Sequence, residues 1–535
     1  MHSQLLLRAD LFWPDYKHSS ILFYMKKAPA WPIIIFLIVI KLAFPFLLQD
    51  SIYELQRDEY LYYQQGQHLA FGFLENPPLI SLLGTITAWL GGHEYLLKLW
   101  AVIFGALTLM LTCLLTAEFG GKGFAQFIAG LCIITGAYLR VHFLFQPNML
   151  DIFFWTLSLY FLVRFLKTNS DQFLYLAALG LGIGWWGKNS ILFLVAAIVF
   201  AFLITKQRKF FFERRIYLAA IIILLLVSPN IMWQYIHRWP LIHHMQELQE
   251  TQLKYLDSTG FIKDQFLMML PVIFIWIAGL IWLFRHKEYR VIAWTYVFVI
   301  IFLMAGSGKS YYSLGVYPVL FAAGAAAWEK ICQQKLWLKF AIPGAIILLS
   351  IPMTPLLLAL WKPQKLAAFY ERNDFKKTGL LKWEDQQNHP LPQDFADMLG
   401  WKELAQKTES FFSSLPAGIK PGTGIYCRNY GQAGALQFYG KNKSFTSKVF
   451  SDNGSNLLWI PDSLHFNHLI VIARNIPDAD DEVFKHFKKK TVIDSVTNFY
   501  SRQLGDKIIF YQDADSLAAK IANEGLGQMK REYAR

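Results

Sequence analysis

The chain has 535 residues, 55% of them hydrophobic and 16% aromatic, with only 17% charged and a mean hydropathy of +0.31. Soluble domains average about 45–50% apolar and about 25% charged residues, so the composition excludes a soluble globular enzyme and indicates a polytopic α-helical membrane protein. The net charge of +13 is spread over short loops between apolar blocks, as the positive-inside rule produces, so no nucleic-acid partner is expected.

Ahead of the first apolar run, Lys26 and Lys27 stand without a cleavage-site pattern. They predict an uncleaved anchor that starts on the cytoplasmic side. Apolar segments then recur near 31–48, 96–117, 123–139, 148–166, 172–187, 190–205, 216–233, 266–284, 290–305, 313–329 and 338–360. Set against the roughly 20 residues that cross about 30 Å of hydrocarbon, they predict about eleven spans. The stretch 79–92 reads as an interfacial helix or half-span. On this count the basic loops "KQRKFFFERR" (206–215), "RHKEYR" (285–290) and "EKICQQKLWLK" (329–339) fall on the cytoplasmic face. The loops 49–95, 140–147, 234–265 and 306–312 fall on the other, with everything after 361. Cys113, Cys132, Cys332 and Cys427 lie far apart, which supports neither a disulfide framework nor a zinc module.

The chemistry-bearing motifs lie on that second face. In "YELQRDEYLYYQQGQHLAFGFLENPPL" (53–79), Asp58 and Glu59 stand beside hydrocarbon, where charge is costly and usually functional. The pair reads either as a solvated loop start, or as a general base, or as carboxylates for a metal or cationic ligand. Two prolines in "ENPPL" (75–79) stiffen the backbone that carries Glu75 and Asn76; the alternative is a plain turn into an interfacial helix. "FLFQPNMLD" (143–151) puts Asp151 about one turn inside an apolar helix, where an acid needs a partner or a water-filled cavity.

In "WWGKNS" (185–190), Lys188 is either a snorkelling lysine or an anion contact. "SPNIMWQYIHRWPLIHHMQE" (228–247) carries His237, Arg238, His243 and His244. Histidine suits metal ligation or proton transfer and arginine bidentate phosphate recognition, though any one of these is often only a surface residue. "GSGKSYYSLGVYP" (306–318) is a glycine-flexible loop in which Lys309, Tyr311 and Tyr312 could together hold a phosphate. Carboxylates, cations and histidines on one membrane face amount to an active site for an anionic, membrane-bound substrate.

From about Trp361 the chain becomes more polar. "HLIVIAR" (468–474) and "KIIFYQ" (507–512) read as strands, "DEVFKHFKKK" and "DSLAAKIANEG" as helices. Their alternation, with Asn/Gly/Asp punctuation, predicts a small α/β domain. "GQAGALQFYG" (431–440) reads as a turn and a strand rather than a binding loop.

The ordered set "RDEYLYY…ENPPL", "QPNMLD", "GKNS", "HRWPLIHHM" and "GKSYYSLGVYPVL" resembles the bacterial membrane glycosyltransferases of the protein-mannosyltransferase and aminoarabinose-transferase type, glycosyltransferase family 39-like, over about residues 30–330. "RNYGQAGALQFYG" (428–440) extends the resemblance into the tail. It implies a GT-C-type bundle over 1–360, with catalytic loops 49–95, 234–265 and 306–312, followed by a periplasmic α/β domain over 361–535. It also implies transfer of a hexosyl or pentosyl group, with inversion, from an undecaprenyl-type polyprenyl-phosphate carrier to a lipid, protein or glycan acceptor. The setting implied is the periplasmic side of a bacterial inner membrane.

Residue by residue, the resemblance makes Asp58 the acceptor-activating base and Asp151 the second acid, with Glu59 beside the base. Lys309, Tyr311 and Tyr312 would contact the carrier phosphate. Glu75, with His244, would hold a divalent metal ion. Some relatives carry Lys or His where this chain has Asn76, and Arg238 or Lys188 would replace that cation. Physical logic points the same way: a departing phosphate needs cations, an attacking hydroxyl needs a carboxylate within hydrogen-bond reach, and single displacement needs one base. The rival readings are a lipid-linked sugar transporter or flippase, whose charges would sit at the bilayer midplane, and a polysaccharide ligase or polymerase.

Overall fold

The computed structural model describes residues 29–251, 258–476 and 481–533; the anchor lysines Lys26 and Lys27 lie outside them. The apolar segments fold as helices: α1 (Trp31–Leu48), α4 (Glu94–Glu118), α5 (Gly123–Ile134), α6 (Pro147–Thr168), α7 (Asp171–Gly187), α8 (Ile191–Ile204) and α9 (Arg214–Ile236). Between α1 and α4, the first loop contains two helices of its own, α2 (Arg57–Gln65) and α3 (Leu79–Trp89). After α9 come α10 (Pro240–Thr251), α11 (Ser258–Met268), α12 (Ile273–Arg285), α13 (Arg290–Ala305), α14 (Tyr317–Gln334) and α15 (Leu338–Ser350).

Among the described residues, five helices are long and apolar enough to cross a membrane, or up to seven if each bent pair is one span. The chain is thus a multi-pass membrane protein, although the eleven spans expected are not reached on this criterion. Several apolar segments are short or broken instead. α8 turns by 106° into a 3-10 segment, and α11 meets the next helical stretch at 63°. α5 stops at Ile134, and Gly136 takes the left-handed backbone (φ 62°) that glycine tolerates best. Lys41, wholly buried in α1, donates to the carbonyls of Ile133 (2.9 Å) and Tyr138 (3.1 Å) at this break. A cation so placed satisfies helix-end carbonyls that hydrocarbon would leave unpaired.

Small residues set the tightest crossings, as is common where helices pack in lipid. Where α12 meets α14, a Cβ added to Gly279 or Gly324 would stand 1.9 Å from a carbonyl oxygen of the other helix. Where α2 meets α3, a Cβ on Gly66 would lie 2.6 Å from the Gly84 backbone.

Beyond the bundle, α16 (Pro363–Arg372) and α17 (Trp401–Ser414) lead into a five-stranded sheet. Its strands are β1 (Thr423–Cys427), β2 (Val449–Phe450), β3 (His468–Ala473), β4 (Phe487–Ser495) and β5 (Lys507–Ala514), in the order β2-β1-β3-β5-β4. β2, β1 and β3 run parallel, β5 pairs antiparallel with β3, and β4 pairs antiparallel with β5. β3 and β5 match the expected strands, and the last expected helix is α19 (Ser516–Glu532).

Two expectations are overturned here. "DEVFKHFKKK" is a short 3-10 turn followed by β4 rather than a helix, because Phe484 and Phe487 pack on Tyr511 of β5 while the lysines face out along a sheet edge. "YGQAGALQFY" is α18 (Tyr430–Tyr439), capped by Asn429, rather than a turn and strand. One continuous core then joins the bundle through Tyr60 of α2 to Trp401, Ala433 and Ile470 of the C-terminal region.

Candidate active site

The site is built around α2. Gln56 caps it by accepting from the Asp58 N–H (2.9 Å), and the Glu59 carboxylate accepts from the Gln56 N–H (2.7 Å), a reciprocal capping box. This start fixes the first turn and turns Asp58 and Glu59 in different directions. Glu59 is wholly buried, and its carboxylate also meets Lys98 (3.3 Å) and the Phe145 N–H (2.8 Å). Its oxygens thus hold α2 to α4 and to the segment just ahead of α6.

Asp58 keeps about a quarter of its side chain exposed (26%). Oδ1 accepts from the Tyr430 hydroxyl of α18 at 2.7 Å and from Arg57 Nε at 3.4 Å. Among the described residues nothing donates to Oδ2. Lys309, at the head of the 3-10 turn Ser310–Val316, lies within electrostatic reach of Asp58, Arg57 and Glu384, and burial lowers its pKa from the ordinary lysine value. Tyr311, also within reach of Asp58, is raised by burial and then by its neighbour Tyr312. Both phenols therefore remain O–H donors.

A polar path runs from the Asp58 backbone N–H, through Gln56, to Lys188 near the second acid. Gln146 Nε2 donates to Gln56 Oε1 (3.1 Å), Asn148 Nδ2 to Gln146 Oε1 (3.1 Å), and Lys188 Nζ to Asn148 Oδ1 (2.6 Å). The Lys188 ammonium sits 3.6 Å from the Tyr312 ring centroid, a cation–π contact. Asp151 is 3% exposed and accepts from the Ser190 hydroxyl (2.8 Å), while among the described residues its Oδ1 has no hydrogen-bond partner. Lys188 is the charge that acts on it. The structure thus brings together Asp58, Asp151, Lys188, Lys309, Tyr311 and Tyr312.

Other expected site residues are placed elsewhere. Glu75 accepts from the Ser455 N–H (2.7 Å) and hydroxyl (2.5 Å) and from Gln65 Nε2 (3.1 Å). His244 faces Glu247 of its own helix at 4.0 Å. Among the described residues no three His, Cys, Asp or Glu side chains gather as a metal site, so the donor set does not fit the metal expected at Glu75 and His244. Asn76 is buried, donates to the Pro77 carbonyl and accepts from Gln65. Arg238 stands exposed in the left-handed turn after α9 (φ 60°). An apolar cavity of about 180 Å³ among α6, α7, α8 and α9 carries no titratable side chain.

The residues that sequence reasoning passed over come from the C-terminal region. Besides Tyr430, Arg502 pairs with Glu384 (2.7 Å) and with the buried Asp397 (3.0 Å), and both acids act electrostatically on Arg57. The arginines hold Glu384 below the ordinary carboxylate range against the opposing effect of burial. The available signal was in "NYGQAGA". A Cβ on Gly431 would lie 2.6 Å from Arg57 Cγ, and one on Gly434 2.6 Å from Tyr60 Cβ. Those glycines let α18 lie directly on α2 and deliver Tyr430 to Asp58.

The description of the family model that matches residues 75–233 is dolichyl-phosphate-mannose-protein mannosyltransferase. Among solved structures, ArnT from Cupriavidus metallidurans bound to undecaprenyl phosphate is similar over 91% of this chain and 99% of that one, with a TM-score of 0.57 at 13% identity. Its apo state is similar over 90% and 98%, with a TM-score of 0.56 at 12% identity. The Archaeoglobus fulgidus oligosaccharyltransferase in complex with zinc and sulfate matches over 82% of this chain and 68% of that one, at 14% identity and a TM-score of 0.46, too distant to argue from. A search of curated proteins finds no significant match. The fold is the GT-C fold, a membrane helix bundle with a C-terminal region, and the resemblance drawn from the ordered motifs agrees with the family match.

Proposed function

We propose that the chain is an inverting glycosyltransferase that moves a sugar from a polyprenyl-phosphate carrier to a hydroxyl-bearing acceptor. The acceptor oxygen attacks the anomeric carbon, its proton passes to the Asp58 carboxylate, the bond from that carbon to the carrier phosphate breaks, and polyprenyl phosphate leaves. Lys309 and Lys188 balance the charge that develops on the leaving phosphate, with Tyr311 and Tyr312 as neutral donors beside them. Asp151 keeps Lys188 charged and aimed, and Glu59 fixes the turn that presents Asp58. The observation that carries this reading is a partly exposed carboxylate within electrostatic reach of a half-buried lysine, in a loop at the end of the bundle. The likeness to a structure that holds undecaprenyl phosphate supports the donor class. The basic loops at the other end support a site on the periplasmic side of a bacterial inner membrane.

The test is to incubate the purified chain in lipid nanodiscs with radiolabelled undecaprenyl-phosphate-linked hexoses and pentoses, with and without envelope extract as acceptor. Release of undecaprenyl phosphate with label entering the extract is expected. Intact donor throughout the panel, with label moving only across the bilayer of vesicles, would replace transfer with transport.

A further inference from the structure

The C-terminal region is the part of the molecule that the proposed chemistry leaves unused, yet it reaches the reacting carboxylate. Tyr430 opens α18, and its hydroxyl donates to Asp58 Oδ1 at 2.7 Å, while Arg57 Nε approaches the same oxygen at 3.4 Å. The Arg57 guanidinium stands 5.6 Å from the Tyr430 ring centroid, and Arg57 feels Asp397 and Glu384, which Arg502 ties together. Burial, and then the charge of Asp58, push the Tyr430 phenol far above its ordinary range, so it stays a donor. The remaining charged or titratable groups that face Asp58 are Tyr62 of α2, Lys309 and Tyr311 of the 306–312 loop, and Asp397.

We propose that Tyr430 is a positioning residue of the transfer reaction: with Arg57 it locks Asp58 Oδ1, so that Oδ2 is the oxygen that takes the acceptor proton. This rests on the reading of Asp58 as the base. A carboxylate free to rotate presents either oxygen in many directions, and a fixed one presents a single lone-pair direction to the acceptor hydroxyl. The C-terminal region thereby acts as a template: without α18 seated on α2, the base would be present but unaimed.

The test uses the full chain in nanodiscs with Tyr430→Phe, which removes only the hydroxyl, and Tyr439→Phe as a control. Tyr439 is a phenol of the same helix that bonds Tyr60 rather than Asp58. In transfer from the radiolabelled donor panel, Y430F is expected to lower kcat by about tenfold with KM for the donor little changed. Y439F, which leaves the Asp58 contact in place, is expected to keep kcat within about twofold of the native chain. Equal losses of kcat in both variants, or a Y430F loss confined to KM, would overturn the lock and leave only helix packing.

Difference infrared spectroscopy of the carboxylate stretch, at a single pH, separates this inference from the functional reading. The carboxylate band lost in Asp58→Asn is followed in the Y430F background. A band that moves while the native chain consumes no donor upholds the lock and sinks the transferase reading. A band that does not move sinks the lock whatever the chain catalyses.

Discussion

At the scale of single residues, adjacent acids have opposite fates, and the difference is geometric. Asp58 and Glu59 follow each other in "RDEY", but the capping box takes Glu59 inward, against Lys98 and the Phe145 N–H, and leaves Asp58 at the surface of the site. Glu59→Gln should therefore cost stability, about 3 kcal/mol for a buried pair that loses one charge, read as a lower melting temperature. Asp58→Asn should melt close to the native chain. The cations divide in the same way. Lys309→Met should weaken binding of undecaprenyl phosphate about tenfold or more, the size of a lost charge-assisted contact, whereas exposed Arg238→Ala should leave it within about twofold; titration in nanodiscs checks both. Asp58, Asp151, Lys188 and Lys309 were legible in the sequence because charge beside hydrocarbon is rare. Tyr430 was not, since a tyrosine in a polar tail carries no such contrast and reaches Asp58 only through tertiary packing.

At the scale of elements, the contact of α2 with the C-terminal region is the joint on which the site depends. Gly434→Leu would push a side chain into Tyr60, where a bare Cβ already stands 2.6 Å away. It should cost about 1–3 kcal/mol by overpacking and reduce transfer more than Y439F does, measured by melting and by rate. The same joint has a pH dependence. Glu54 accepts from the Trp401 (2.7 Å) and Lys402 (3.1 Å) N–H groups at the head of α17. Burial pushes it up to about 7 from an ordinary value of 4.5. The folded state thus prefers the protonated acid: stability from this group is full below about pH 4.5 and is lost as pH rises through about 7, up to about 3 kcal/mol. Melting between those pH values should fall in the native chain and flatten in Glu54→Gln. Long apolar helices such as Trp31–Leu48 and Arg290–Ala305 were legible nearly to the residue, because hydrophobic runs mark their own ends. The strand β4 and helix α18 were misread because partners set them: β4 by Tyr511 of the neighbouring strand, α18 by the glycines that seat it on α2.

At the scale of the molecule, the order of motifs predicted the fold, whereas the joining of its two parts was hidden. The GT-C bundle supplies Lys188, Lys309 and the proposed base Asp58, and the C-terminal region supplies the phenol and the Arg502–Glu384–Asp397 network around Arg57. Glu75, expected to bind a metal, ties the first loop to Ser455. Transfer should persist within about twofold after EDTA treatment, since protein cations can take the place of a metal in stabilising a leaving phosphate; its complete loss, restored by magnesium, would contradict that. The proposed role of Asp58 as the base is tested most directly by single-turnover transfer from a radiolabelled undecaprenyl-phosphate sugar by the native chain and Asp58→Asn, with donor binding measured in parallel. The variant is expected to bind donor with native affinity and to transfer it at least about 100-fold more slowly. Equal rates in the two chains would contradict it.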